Sequence, residues 1–272
     1  MTETNHAEMN HAEVLALFDR RMRLEAAPDS PGAVVERVGD VLRQTGGGPD
    51  AWTGVLWSDL TEDTADAAIA EQAACAVEVG REFEWKLYGH DGPADLGDRL
   101  LAAGFEPEPT EALMVAPAAG LLADAAPGNA ALPEGLRLRQ VVDPAGVELV
   151  VQVHSRVFGS SADRLRERLL ARLENDPDTL SMVVVLADGE PVCAARMELY
   201  PGTGFAGLWG GGTLPAWRGK GIYRALVAHR AREAAAAGYR YLQVDASDMS
   251  RPILERLGFA VLSSTTPYLL VP

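Results

Sequence analysis

The stretch from Leu208 to Arg230, "LWGGGTLPAWRGKGIYRALVAHR", constrains this chain more than any other. An apolar run enters three consecutive glycines, then Thr-Leu-Pro and Arg-Gly-Lys-Gly, and passes directly into a helical pattern. Glycine supplies backbone conformations and clearances that other residues do not. A helix start leaves several N–H groups unpaired, backed by the positive end of the helix dipole. The stretch therefore predicts an anion site suited to a pyrophosphate, with Arg218 and Lys220 adding mobile positive charge.

Two familiar phosphate loops are excluded by register. For the dinucleotide fingerprint G-x-G-x-x-G, the sixth position is Pro215 counted from Gly210 and Arg224 counted from Gly219. For the nucleotide-triphosphate loop, Leu214 stands where the first glycine belongs, and Gly221 stands where Ser or Thr should hold magnesium. Charge narrows the field further. Residues 1–133 hold 24 Asp/Glu against 8 Lys/Arg, whereas residues 134–272 hold 15 against 16. A polyanionic ligand is expected on the second half, and a net charge of −15 argues against a nucleic-acid partner. The acidic half would attract a cationic amine or serve solubility alone.

Around the glycine stretch the order of elements is legible. "LRLRQV" alternates as a strand, and "DPAGVELVVQVHSRVFG" reads as a helix with Asp143 as N-cap and Pro144 in its first turn. "SADRLRERLLARLE" continues helical with Leu165, Leu169 and Leu173 on one face. "MVVVLADGEPVCAARMELY" reads as a hairpin about Asp188-Gly189. After the glycine stretch come a helix stopping at Gly238, the strand "YRYLQVDAS", the helix "SRPILERLGF" and the strand "TPYLLVP". The first half echoes this series. "FEWKLYGHDGPADLGDRLLAAGFEPEPTEALMV" repeats strand, loop, helix, Gly-Phe and strand, so that Gly104-Phe105 corresponds to Gly258-Phe259. "TGVLWSDL" and "TADAAIAEQAACAVEVG" take the places of the glycine strand and its helix, but Thr61-Glu62-Asp63-Thr64 between them would cap a helix and repel a phosphate. The Ala/Pro/Gly-rich residues 116–135 read as a linker.

"TLPAWRGKGIYRALV" resembles the acetyl-CoA signature of the GNAT-type N-acetyltransferases, Arg/Gln-x-x-Gly-x-Gly/Ala after a strand and a proline. Arg218 and Gly221 match, while Tyr223 replaces the final Gly/Ala. The element order of residues 136–272 and the Leu-Gly-Phe ending of the later helix are similar to that family too. The resemblance implies a mixed α/β fold in tandem: residues 1–118 as a degenerate GNAT-like domain, 119–134 as linker and 135–272 as the acetyltransferase domain. The tandem arrangement resembles that of mycothiol synthase-like enzymes. It also implies acetyl-CoA as cosubstrate and no metal. Gly212, Thr213 and Leu214 would serve the pantetheine arm and thioester carbonyl. Arg218, Gly219, Lys220, Gly221, Ile222, Tyr223 and Arg224 would hold the pyrophosphate.

The implied reaction is direct acetyl transfer to a primary amine of a small molecule or peptide. The acid that many relatives carry as tyrosine falls on Leu254 here, and "GFAGLWGGG" offers no glutamate base. Glu198, Asp245 and Tyr268 are the catalytic candidates from neighbouring strands, against ordinary roles as a solvent-facing residue, a turn cap and a core aromatic. Water-mediated deprotonation is equally consistent. His229 reads as a helix-face residue, and His154 as a core or interface histidine. Two other functions stay open: a non-catalytic acyl-CoA sensor, which the missing Tyr and Glu favour, and an enzymatic second half beside an acidic protein-interaction platform. Two cysteines, no apolar run of spanning length and an N-terminus without a basic n-region or an apolar h-region lead to the expectation of a cytoplasmic protein with no membrane partner. A homodimer is compatible with this reading.

Overall fold

The computed structural model describes residues 9–49, 51–123, 131–159 and 162–272. The chain forms two compact units, and neither is one contiguous stretch: residues 9–114, 245–252 and 261–272 make the first, and residues 115–244 and 253–260 the second.

The first unit begins with α1 (His11–Phe18), capped by the Asn10 side chain and prolonged by a π-helical turn over Asp19–Leu24. A hairpin follows, β1 (Ala33–Val38) and β2 (Val41–Gly46), then β3 (Gly54–Ser58), α2 (Ala65–Val79), β4 (Phe83–Tyr88) and α3 (Leu96–Ala102). A short β5 (Glu106–Pro107) precedes β6 (Glu111–Pro117), in which the boundary between the units falls. β2 pairs antiparallel with β3 across a bulge at Leu56, and β3 pairs in parallel with β4 only at Gly54 and Val55. The core joins Val41, Val55, Ile69, Phe83, Trp85, Leu96, Leu100 and Phe105. Each large side chain removed from water there contributes about 1.5–3 kcal/mol.

The second unit opens with α4 (Ala118–Ala123), a helix inside the stretch that the sequence reads as linker; residues 124–130 lie outside the described residues. β7 (Leu136–Gln140) leads to α5 (Pro144–Phe158), where Asp143 accepts from the Gly146 N–H at 2.6 Å as the sequence predicts. Then come α6 (Asp163–Asn175), β8 (Leu180–Ala187), β9 (Glu190–Leu199), β10 (Phe205–Thr213), α7 (Ile222–Ala236), β11 (Tyr241–Ala246) and α8 (Arg251–Arg256). The β8–β9 turn uses Asp188 at φ 49° and Gly189 at φ 90°, the left-handed pair that a two-residue hairpin needs. β7, β8, β9 and β10 run antiparallel in that order, and β11 joins β10 in parallel. Strand alternation gives this sheet two apolar faces. Met182, Val184 and Ala194 meet α5 and α6 through Val147, Val150, Leu165 and Leu169. Val183, Val185, Cys193 and Ala195 meet Ile222 and Leu226 of α7.

The last strand, β12 (Ala260–Leu270), pairs with β4 and β5, so Tyr268 lies opposite Trp85 in the first unit. The two Gly-Phe endings have one geometry. Gly104 and Gly258 both have φ 92°. The Phe105 N–H donates to Leu100 O and the Phe259 N–H to Leu254 O, each at 3.0 Å. Both rings are buried.

Candidate functional site

β10 keeps its pairing with β11 only from Phe205 to Gly207. Its register on β9 then slips, with Trp209 opposite Arg196 but Gly212 opposite Ala194. Gly210 and Gly211 therefore form a β-bulge facing one residue of β9, and Gly210 takes φ 55°. The strand beyond Gly207 is free of β11, so its backbone groups on that edge are available to a ligand.

The density of glycine in β10 has a physical cause inside the protein. A Cβ on Gly207 would come within 2.9 Å of Tyr200 Oη and Gln243 Nε2. On Gly210 it would meet the Arg196 guanidinium at 2.9 Å, on Gly211 the Tyr223 ring at 3.0 Å and on Gly212 Val157 at 3.2 Å. Side chains from both faces of the sheet fill the space these glycines vacate. The glycines after the strand differ: a Cβ on Gly219 meets nothing within 4 Å, and on Gly221 only an Arg224 nitrogen at 3.5 Å.

The loop between β10 and α7 is tightly built. Leu214 N–H donates to Val192 O at 2.9 Å, and Pro215–Trp217 form a 3₁₀ turn. Arg218 Nε donates to Thr213 O at 3.1 Å, and Lys220 Nζ lies 4.3 Å above the Trp217 ring. Gly219 and Gly221 have φ 74° and 79°. Gly221 is the N-cap of α7, and no side chain caps the helix. Its first intrahelical bond runs from Ala225 N–H to Gly221 O at 3.0 Å, which leaves the N–H groups of Ile222, Tyr223 and Arg224 without a partner in the helix. Ile222 anchors the turn in the core, while Arg224 is exposed. Uncapped donors, the dipole end and the two cations fit a pyrophosphate.

The three catalytic candidates divide between the two units. Glu198 on β9 shares the loop's unit, with Tyr200 Oη 3.5 Å, Arg196 Nε 3.6 Å and Arg172 Nη1 3.9 Å from its carboxylate. Asp245 is grouped with the first unit, where Lys86 Nζ lies 2.5 Å from its Oδ2. Tyr268 packs against that unit's core, its hydroxyl beside Gly97, and burial raises its pKa. His229, half-buried on α7, has Nε2 3.3 Å from Glu233. His154 is half-buried against Phe158, and burial lowers its pKa.

Sequence reasoning missed Arg230. Its side chain lies under the glycine bulge, 1% exposed. Nε donates to Leu226 O at 3.1 Å and Nη1 to Arg196 O at 3.2 Å, while Nη2 has no partner. The signal was present: Ile222, Leu226, Arg230 and Ala234 form one i, i+4 row of a helix, and the other three are apolar core residues. Burial lowers the guanidinium pKa, against the opposing influence of Tyr223, Cys193 and Glu233. Burial also pushes the Cys193 thiol up to about 11 and raises the Tyr223 phenol.

Residues 148–259 match the model of the acetyltransferase (GNAT) family. No curated protein sequence matches the chain. Among solved structures, a GCN5-related N-acetyltransferase from Kribbella flavida superposes with a TM-score of 0.67 at 16% identity, over 96% of each chain. A functionally unknown conserved protein from Staphylococcus epidermidis gives 0.67 at 14% identity, over 90% of this chain and 96% of its own. A tandem GNAT protein from the clavulanic acid biosynthesis pathway gives 0.62 at 13% identity, over 96% and 95%. At such identities these structures share the fold. The family match takes in the β10–α7 loop, and the shared fold extends over nearly the whole chain. Among the described residues no helix is long and apolar enough to cross a membrane, and no cluster of His, Cys, Asp or Glu could hold a metal.

Proposed function

We propose that the second unit binds acetyl-CoA along β10 and at the start of α7, and transfers the acetyl group directly to a primary amine of a small molecule or peptide. The observation that carries this reading is the uncapped, glycine-entered N-terminus of α7 directly after a bulged strand that leaves its parallel neighbour. The N–H groups of Gly219 to Arg224, with Arg218 and Lys220, would hold the pyrophosphate. Gly212, Thr213 and Leu214 would offer backbone groups to the pantetheine arm and polarise the thioester carbonyl. The amine loses a proton and attacks the carbonyl carbon, without an acyl-enzyme.

Glu198, Asp245 and Tyr268 remain the candidates for proton transfer. Glu198 is the one in the same unit as the loop, its carboxylate facing Arg172 and Arg196. The first unit reads as a degenerate copy of the same fold, with residues 1–118 and 135–272 as the two copies about a linker at 119–134. The matching Gly-Phe endings and bulges on β3 and β10 support this. Thr64 Oγ1 accepts from the Thr61 N–H at 3.0 Å ahead of α2, where an anion would have to sit.

A second reading is a non-catalytic acyl-CoA sensor, favoured by the fully buried Leu254 at the position of the usual acid. Calorimetric titration of acetyl-CoA tests the cofactor site: one site per chain, abolished by Gly221→Glu, is expected. Stoichiometric thiol release that depends on added amine separates the enzyme from the sensor, which would hydrolyse acetyl-CoA slowly whatever amine is present.

A further inference from the structure

Arg230 carries a buried positive charge that no ion pair among the described residues neutralises, Glu233 on the same helix acting on it without direct contact. Two of its three nitrogens are held by carbonyl oxygens, and no carboxylate among the described residues forms an ion pair with it. Its free nitrogen, Nη2, points at the bulge, 4.0 Å from where a Cβ on Gly211 would stand. A neutral side chain could fill this space without the cost of desolvating a cation. A buried donor left without a partner calls for an explanation.

The first unit supplies an internal comparison. There too a buried arginine serves the bulged strand: Arg23 Nε donates to Leu56 O, the bulge residue of β3, at 3.1 Å. Its two terminal nitrogens are taken by both oxygens of Asp91, at 2.9 and 2.7 Å, and Nη1 also reaches Asp19 at 2.9 Å. The bulge of the unit without a phosphate loop has its own anions. At the bulge of the unit with the loop, Glu198 lies 3.6 Å from Arg196 Nε beside Gly210, but Arg230 beneath Gly211 has no carboxylate in ion-pair contact among the described residues.

We infer that Arg230 is a positioning residue for acetyl transfer, holding a charge without an ion-pair partner beneath Gly211 that favours the anion formed on the coenzyme sulfur. This rests on the proposed path of acetyl-CoA along β10. When the amine nitrogen bonds to the carbonyl carbon, the C–S bond breaks and sulfur keeps the electron pair, while the proton shed by the amine ends on that sulfur. A cation within a few ångströms in a water-poor site lowers the pKa of such a thiol by roughly one to three units. Arg230 acts through the strand, since it is itself enclosed. Tyr223 completes the lining, its ring filling the space that Gly211 leaves.

The test reads the free thiol of bound CoA, not turnover. Thiolate absorbance of the CoA complex is titrated against pH, with the desulfo-CoA complex as reference, for the native protein, Arg230→Met and Arg230→Lys. The expected result is a thiol pKa in the native complex at least one unit below that of free CoA. Arg230→Met should return it to the free value with the melting temperature unchanged or raised, and Arg230→Lys should keep most of the shift. A merely structural arginine would change melting and leave the thiol where it was. An unshifted thiol in the native complex, or one equally shifted in Arg230→Met, overturns the inference while the cofactor reading stands. Absence of CoA binding to the native protein overturns both. Should the methionine variant fail to fold, Arg230→Gln, which keeps hydrogen-bonding groups without the charge, decides in its place: a thiol returned to the free value supports the inference and a thiol still shifted overturns it.

Discussion

Arg218 is moored to Thr213, its Nε donating to the threonine carbonyl at 3.1 Å. The first cation of the loop is thereby tied to the last residue of the glycine strand, so strand and loop are ordered together. The Thr213 hydroxyl in turn meets Cys193 Sγ at 3.1 Å, which fixes the strand end on the core. An anion bound at α7, as proposed, would meet donors already in place, which would lower the entropy lost on binding.

Arg218→Ala removes one charge and one tether. Affinity for acetyl-CoA should fall about tenfold, and its decline with added salt should become shallower, because one screened attraction has gone. Titrations at two ionic strengths check both effects. An unchanged affinity would mean that Arg218 serves the loop alone.

Gly221 has φ 79°, a conformation that an L-residue adopts at a cost of roughly 1–2 kcal/mol. Gly221→Ala should lower stability by about 1 kcal/mol, read from the denaturant midpoint, with reduced but measurable cofactor binding. Gly221→Glu adds a carboxylate where the pyrophosphate is expected and should abolish binding altogether. Equal binding by the two variants would show that strain, not charge, governs the site.

The residues that were legible in the sequence are those whose conformation is set locally. Asp143-Pro144 starts α5, Asp188-Gly189 turns the hairpin and Gly221 opens α7, each by its own cap or φ requirement. What was not legible depends on distant partners. β12 follows the second half in sequence, yet it pairs with β4 in the first unit, Tyr268 against Trp85. β1 and β2 carry their apolar residues in short, charge-interrupted runs, "AVVERV" and "VLRQTG", which no period singles out. Arg230 was hidden because a cation in a helix ordinarily faces water. The strand glycines suggested a ligand's approach, but Tyr223, Arg196 and Val157 occupy that space.

Cys193 reports on the core beneath the loop. Burial holds its thiol up to about 11, above the ordinary 9.0 of the unfolded chain. The neutral thiol is favoured in the folded state, so its contribution is complete below about pH 9 and is lost as pH rises toward about 11. Native protein should react slowly with thiol reagents at pH 8, and the denaturant midpoint should fall more steeply between pH 9 and 11 than that of Cys193→Ala. Parallel pH dependences for the two proteins would refute the assignment.

The Lys86–Asp245 pair separates structure from chemistry at one of the candidate acids. The Asp245 side chain is 3% exposed and that of Lys86 23%, with 2.5 Å between Oδ2 and Nζ. Burial would lower the lysine pKa, but Asp245, with Tyr88 and Glu84, holds it well above the ordinary range. Asp245→Asn removes the closest counter-charge of a largely enclosed ammonium and should cost about 3 kcal/mol of stability, read by chemical denaturation. Lys86→Met with Asp245→Leu removes both charges and should recover most of that loss, since an apolar pair needs no desolvation. Acetyl transfer by this double variant then assigns Asp245. Native turnover in a stable double variant leaves the carboxylate a structural partner of Lys86, whereas turnover that stays lost while acetyl-CoA still binds places it in the proton path.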